Sequence, residues 1–299
     1  MKGNLREIAT ARMTVVSDSL GKQGPAPCLP FLLQLPNLLA LDAAFFALCW
    51  QWMATKAFGF ETFGIHGALV ATAVWLGYTA DRWLDVSGMQ NTPSTRRHKF
   101  AARHRTGLLV AWAMIFVFSL VVAWQTLSTE EFQVGLVLAV LCATNAWLNH
   151  ADPKGRFPVP KECRAALLLS AGIHLFLWVR IPESTPSLWF SFAAVTVLCF
   201  LNCCLVAKWE TEIDLCQGQS SLALRRKKVE TVAVKVTLAT IVLCPTMALF
   251  RPNEPEAWML LATAMALVAL PFIDRCGLDP EDKRVLADAV LFIPCLALI

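Results

Sequence analysis

Two short acidic stretches carry residue types and spacings that could do chemistry. In "GYTADRWLDVSG" an apolar run gives way to Asp81, Arg82 and Asp85. Asp81 and Asp85 are spaced i, i+4, so a continuing helix sets both carboxylates on one face with Cβ atoms about 5–6 Å apart. "KWETEID" repeats the spacing with Glu210 and Asp214. Like charges one turn apart destabilise a bare helix, and two such pairs at matching places predict a cation between them. Magnesium fits, because it takes a few carboxylates and completes its shell with waters and substrate phosphate oxygens. The expected metal ligands and catalytic groups are Asp81, Asp85, Glu210 and Asp214.

Basic residues crowd the same neighbourhood. After the first pair comes "TRRHKFAARHR", and a second basic stretch, "HADPKGRFPVPKECR", begins at His150. Guanidinium forks bind phosphate oxygens bidentately, and lysine adds point charge. Arg97, Arg103, Lys161 and Lys208 are therefore candidate donors to a diphosphate head. A competing reading makes each cluster an interfacial anchor or a contact with anionic lipid. The paired spacing at matching depth favours the metal and diphosphate.

The elements that must position these groups are apolar helices. Hydrophobic residues make up 57% of the 299 and charged ones 16%, with a mean hydropathy of +0.55, so the chain reads as a polytopic membrane protein. Apolar runs near 37–55, 64–81, 107–127, 132–149, 164–181, 188–207, 230–250, 257–273 and 285–299 predict an all-α bundle of nine transmembrane helices. Residues 1–36 form an N-terminal segment and 37–299 a single membrane domain. The first residues lack the apolar core and cleavage site of a secretory signal, so the N-terminus is expected to be retained. Of the 26 basic residues, all but Lys56, Arg180, Lys235 and Arg251 fall on the side of the N-terminus and of both acidic pairs. By the positive-inside rule that side is cytoplasmic, and a bacterial inner membrane is the expected location. Recurrence of an acidic cluster four helices after the first predicts two four-helix repeats plus one helix. The 11 cysteines are scattered through apolar runs and form no CxxC pair, so they read as small buried hydrophobes.

These residues resemble the UbiA superfamily of intramembrane prenyltransferases. Its first motif, NDxxDxxxD, aligns with "GYTADRWLD": Asp81, Arg82 and Asp85 match, while Gly77 and Tyr78 stand where the family has Asn and Asp. The second motif resembles "ETEIDLCQGQSSL", with Glu210, Glu212, Asp214, Gly218, Ser221 and Leu222 on family positions and Ile213 and Leu215 departing from them. The resemblance implies a nine-helix fold, magnesium, and transfer of a prenyl group from an isoprenoid diphosphate to an aromatic or other lipophilic acceptor. It adds Arg82, Glu212 and Tyr78 to the expected substrate-binding residues, Tyr78 filling part of the gap in the first motif.

Among polar residues inside the spans, Asp42 and Asn202 are placed to line a pocket beneath the acidic pairs, with a packing hydrogen bond the plainer role for Asn202. Lys235 reads as snorkelling, His150 and Asp152 as a turn, and His98 and His104 as solvated residues without a role. The expected partners are the diphosphate, its acceptor and membrane lipids. No nucleic acid is expected, and no protein partner is inferable. Two other classes stand beside the enzyme: a catalytically degenerate relative that binds isoprenoid lipids or scaffolds a pathway, motivated by the missing "ND", and a transporter. Transporters usually hold such groups near the midplane on broken helices, which these stretches do not match.

Overall fold

The computed structural model describes residues 29–60, 63–88, 95–152, 155–181, 185–217, 221–225, 227–250 and 255–292. Within them the secondary structure is helical. The helices are α1 (Phe31–Leu38), α2 (Leu41–Ala57), α3 (Phe63–Gly88), α4 (Arg96–Arg103), α5 (Arg105–Thr126), α6 (Thr129–Ala151), α7 (Lys161–Arg180), α8 (Pro186–Trp209), α9 (Thr211–Gln217), α10 (Leu222–Arg225), α11 (Lys227–Phe250), α12 (Pro255–Arg275) and α13 (Pro280–Val290).

Among the described residues six helices, α5, α6, α7, α8, α11 and α12, are long and apolar enough to cross a membrane, and α1 with α2 adds a seventh if that pair, bent by 78°, counts as one span. The expected second span falls on the 26-residue α3, which is not one of these six and whose last third carries Asp81, Arg82 and Asp85, so the described helices reach six or seven candidate spans against the expected nine. Of the expected ninth, residues 293–299 lie outside the described residues. Helix α1 falls largely within the expected 1–36 segment yet contacts α2, α4 and α13.

Large apolar side chains from different helices meet in one core: Trp50 of α2, Ile173 and Leu177 of α7, Leu198 of α8, and Leu267 and Leu270 of α12 are almost fully enclosed. Small residues such as Ala47, Ala54, Ala166 and Ala266 let the backbones approach. Helix α5 contrasts with this, having no buried residue. Phe118 and Trp124 point outward from it, as expected of a helix whose solvent is hydrocarbon.

The bend between α1 and α2 needs a dedicated fixture, because an interrupted helix frees carbonyls that a bilayer cannot hydrate. Ala40 takes a left-handed φ of 59° there. Arg82 Nη1 donates to the carbonyls of Asn37 (2.6 Å) and Leu38 (3.1 Å), and Trp75 Nε1 to that of Leu39 (2.9 Å). Thus the guanidinium expected to touch substrate through the first motif is instead engaged with the backbone of the bend.

At the end of the bundle away from the acidic motifs, Glu131 closes a capping box with Ser128 at the start of α6. It also accepts from Arg180 Nε at 2.7 Å and lies 3.0 Å from His66 Nε2. Glu131→Gln is expected to cost about 1–3 kcal/mol by weakening the charge-assisted bonds of a buried carboxylate to Arg180 and His66, the exposed Arg180 head being partly compensated by water. Thermal unfolding in detergent should show a lower midpoint, and an unchanged one would remove the cluster from the fold's supports.

Candidate functional site

Helix α3 runs on through the acidic stretch, so Asp81 and Asp85 share a face as their spacing requires. Both line a pocket of about 80 Å³ whose other walls include Asn149 and Asp152 of the α6 terminus, Lys161, Glu162 and Arg164 of α7, and Ser221. Lys161 lies within electrostatic reach of both Asp81 and Asp214, and so joins the first motif to the second. Asp214, on the short α9, is buried. Burial pushes its carboxyl above the usual range despite the opposing pull of Lys161 and Ser221. The Ser221 hydroxyl faces that carboxyl, yet its Oγ has no partner within hydrogen-bond distance among the described residues.

Glu210, the C-cap of α8, takes a different place. Arg97 Nη2 donates to its Oε2 at 2.9 Å and Arg284 Nη1 to its Oε1 at 3.0 Å. Both carboxylate oxygens are therefore engaged by guanidinium groups. Among the described residues no group of three or more His, Cys, Asp or Glu side chains is arranged to hold a metal ion. The four expected ligands are not drawn into one cage; Asp81 and Asp85 line the pocket, Asp214 adjoins it through Lys161, and Glu210 faces two arginines.

Basic residues of "TRRHKFAARHR" are divided in the same way. Thr95 caps α4, and Arg96 reaches the start of α13, with Nε 2.8 Å from Glu281 and Nη1 3.3 Å from Asp282. Burial holds the Glu281 carboxyl above its ordinary value against the pull of Arg96. Arg97 keeps one buried nitrogen, Nη1, without a partner. Arg103 is exposed. Lys208 pairs with Asp274 at 2.7 Å, and Glu212 is exposed. None of these last three lines the pocket, and Arg97 lines a separate recess with Glu210 and Arg284.

Deeper in the bundle Tyr78 sits one turn below Asp81, near Cys199 and Cys203 of α8 and the Asp42 and Asp288 carboxyls. Asn37 Nδ2 bridges that carboxyl pair, 2.6 Å from Asp42 and 3.2 Å from Asp288. Asn202 approaches Asp288, so Asn202, Asp42 and Asp288 form a polar cluster, and neither Asn202 nor Asp42 lines the acidic pocket.

Several contributors were not legible as such. His98 is 4% exposed and stands 3.7 Å from Asp85, with Nδ1 2.7 Å from the Thr95 hydroxyl. Burial lowers its pKa, outweighing the attraction of Asp85, so its environment favours the neutral ring. The basic composition around it predicts a solvated loop, whereas α4 folds its apolar face inward. Arg164 fixes the far wall, donating to Asn149 at 2.7 Å, to Asn145 at 2.8 Å and to the Val159 carbonyl at 2.8 Å. Glu162 accepts from Leu222 N at 2.9 Å. Asp152 does form the expected turn, accepting from Phe157 N at 2.7 Å.

The donor set tolerates magnesium: an aspartate pair one turn apart with room for water and phosphate oxygens matches that ion's habit of using one or two carboxylates. The raised pKa of Asp214 would make such binding pH-dependent. Above its raised pKa Asp214 is an anion and attracts a cation; below it the proton competes. Magnesium affinity should fall as pH is lowered, and at a higher pH than an ordinary aspartate would dictate. Calorimetric titration at a series of pH values checks this, and a pH-independent affinity would remove Asp214 from the binding site. In folding the sign is opposite: the raised pKa favours the folded state at low pH, and that contribution disappears as pH rises through it.

Comparison with known proteins adds no relative: no family model, curated protein sequence or solved structure matches the chain.

Proposed function

We propose that the chain is an integral-membrane prenyltransferase that ionises an isoprenoid diphosphate and passes the prenyl group to a lipophilic acceptor. The observation that carries this reading is Lys161, which lines one pocket with Asp81 and Asp85 and lies within electrostatic reach of Asp214 of the second motif. Ser221 Oγ, buried in the pocket wall, gives a diphosphate a further donor, and Arg97, which lines a neighbouring recess with Glu210, lies within electrostatic reach of Asp81. Asp81 and Asp85 would hold magnesium, with Asp214 adjoining the pocket through Lys161. When bound, the ion neutralises charge building on the departing diphosphate.

Lys161 and Arg97 orient the diphosphate, and the carbon–oxygen bond breaks with its electron pair leaving on oxygen. The allyl cation is then captured by an electron pair of the acceptor, which gives up a proton to the diphosphate. Tyr78, one turn inward, lies where the first carbons of the chain would run. This reading keeps nine spans built from two four-helix repeats plus one helix. It also keeps the N-terminus and both motifs on the cytoplasmic face of a bacterial inner membrane.

The commitment of Glu210 to Arg97 and Arg284 favours a second reading, in which a degenerate site binds isoprenoid lipids without turnover. Purified protein in lipid nanodiscs, given magnesium and labelled prenyl diphosphates of several lengths with aromatic acceptors, separates the two. Turnover supports the enzyme and tight binding without turnover the second reading. Neither binding nor turnover, with the fold intact, would sink both.

A further inference from the structure

On the opposite face of α3 from Asp81 and Asp85 lies a second recess, of about 190 Å³. Leu39, Ala80, Leu108, Leu109 and Trp112 give it apolar walls, and it shares no lining residue with the acidic pocket. Three polar side chains also line it, Thr79, Arg82 and Trp83. Their Oγ1, Nη2 and Nε1 atoms are buried without a hydrogen-bond partner among the described residues. Arg82 is 7% exposed and Thr79 8%.

Arg82 is the decisive member. Its Nη1 is engaged by the carbonyls of the α1–α2 bend, which leaves Nη2 available. No carboxylate lies within 4.0 Å of the guanidinium among the described residues. A buried cation with an unused donor is costly unless an anion or acceptor oxygen supplies the missing contact. A second guanidinium, Arg105, stands 5.3 Å over the Trp83 ring and adds positive charge at this recess. Its α5 wall belongs to the helix with no buried residue, and Leu109 is 47% exposed, so the apolar wall is continuous with the lipid-facing surface. Charge, donors and hydrocarbon contact call for one ligand that unites an anionic oxygen with an alkyl chain.

We propose that this recess is a binding site for an anionic phospholipid of the leaflet at the motif-bearing end. A phosphodiester oxygen accepts from Arg82 Nη2 and Trp83 Nε1, and a segment of one acyl chain fills the groove. At roughly 30 Å³ per small group, the volume suits about six methylene-sized units, a stretch of chain and no more. Because Arg82 also holds the bend, a bound headgroup stiffens the junction of α1 and α2.

The test is native mass spectrometry of the full chain after equilibration with vesicles of phosphatidylglycerol or of phosphatidylcholine. Preferential retention of phosphatidylglycerol by about tenfold is expected, because both lipids offer the phosphodiester oxygen but phosphatidylcholine also brings a choline cation against the positive charge of Arg82 and Arg105. Leu109→Trp, which fills the groove from its lipid side, should abolish the preference. Trp83→Phe removes only the indole donor and should reduce retention several-fold while the melting point of lipid-free protein stays the same. Equal retention of both lipids, or a preference that both variants leave intact, would overturn the proposal. So would displacement of the lipid by an aromatic prenyl acceptor, since the recess would then belong to the reacting substrate.

Discussion

Glu210→Gln should lower the unfolding temperature of the lipid-reconstituted protein more than any other single change near the acidic motifs. Glu210 ties three segments together, because its two oxygens receive Arg97 from α4 and Arg284 from α13 while its own backbone ends α8. All three side chains are between 13% and 17% exposed, so water screens the charges poorly. Removing the carboxylate leaves two guanidinium groups facing each other with no shared anion. Breaking a buried pair in this way costs about 3–5 kcal/mol, which corresponds to a fall of roughly 5–15 °C in midpoint. Arg97→Gln in the same background should recover part of the loss, since one uncompensated charge is gone. If instead Glu210 served mainly as a metal ligand, melting without magnesium would be unaffected and only the magnesium-dependent increment would disappear. Tryptophan fluorescence melts with and without magnesium decide between the two.

What could be read in the sequence follows from how local the governing physics is. The spacing of Asp81 and Asp85 fixes a shared face on any continuous helix, and α3 delivers it. The apolar runs likewise predict helices, because a bilayer leaves a chain few other ways to satisfy its backbone. Partner choice is not local. Nothing near Arg82 in the chain announces that Asn37 and Leu38 have free carbonyls, since those are freed by a bend around Ala40, more than ten turns of helix away. Arg96 and Arg97 look equivalent in "TRRHKF", yet one faces the start of α13 and the other the end of α8. His98 reads as solvated for a related reason: average composition of a short basic stretch hides an amphipathic turn whose one side, His98 and Ala101, tucks inward. Ser221 and Asn149 enter the pocket only because α6, α7 and the segment after α9 converge there.

Lys161→Gln makes the sharpest separation between a metal-diphosphate site and a structural ion cluster, because it moves two affinities in opposite directions. The ammonium group lies near Asp81 and Asp214 and lines the pocket with Asp85. In the absence of substrate it repels any cation approaching those carboxylates; in the presence of a diphosphate it donates to the anion. Taking it away should therefore strengthen magnesium binding measured alone, or leave it unchanged. Binding of a prenyl diphosphate at saturating magnesium should weaken by about 10- to 100-fold, the loss of one charge-assisted hydrogen bond worth about 1.5–3 kcal/mol. Isothermal titration of each ligand in turn reads both signs on the same preparation. A merely structural lysine would shift both affinities downward together as the pocket loosened, accompanied by a lower melting point. Opposite signs at constant melting point would assign Lys161 to the diphosphate and leave Asp81 and Asp85 as the cation's side of the site.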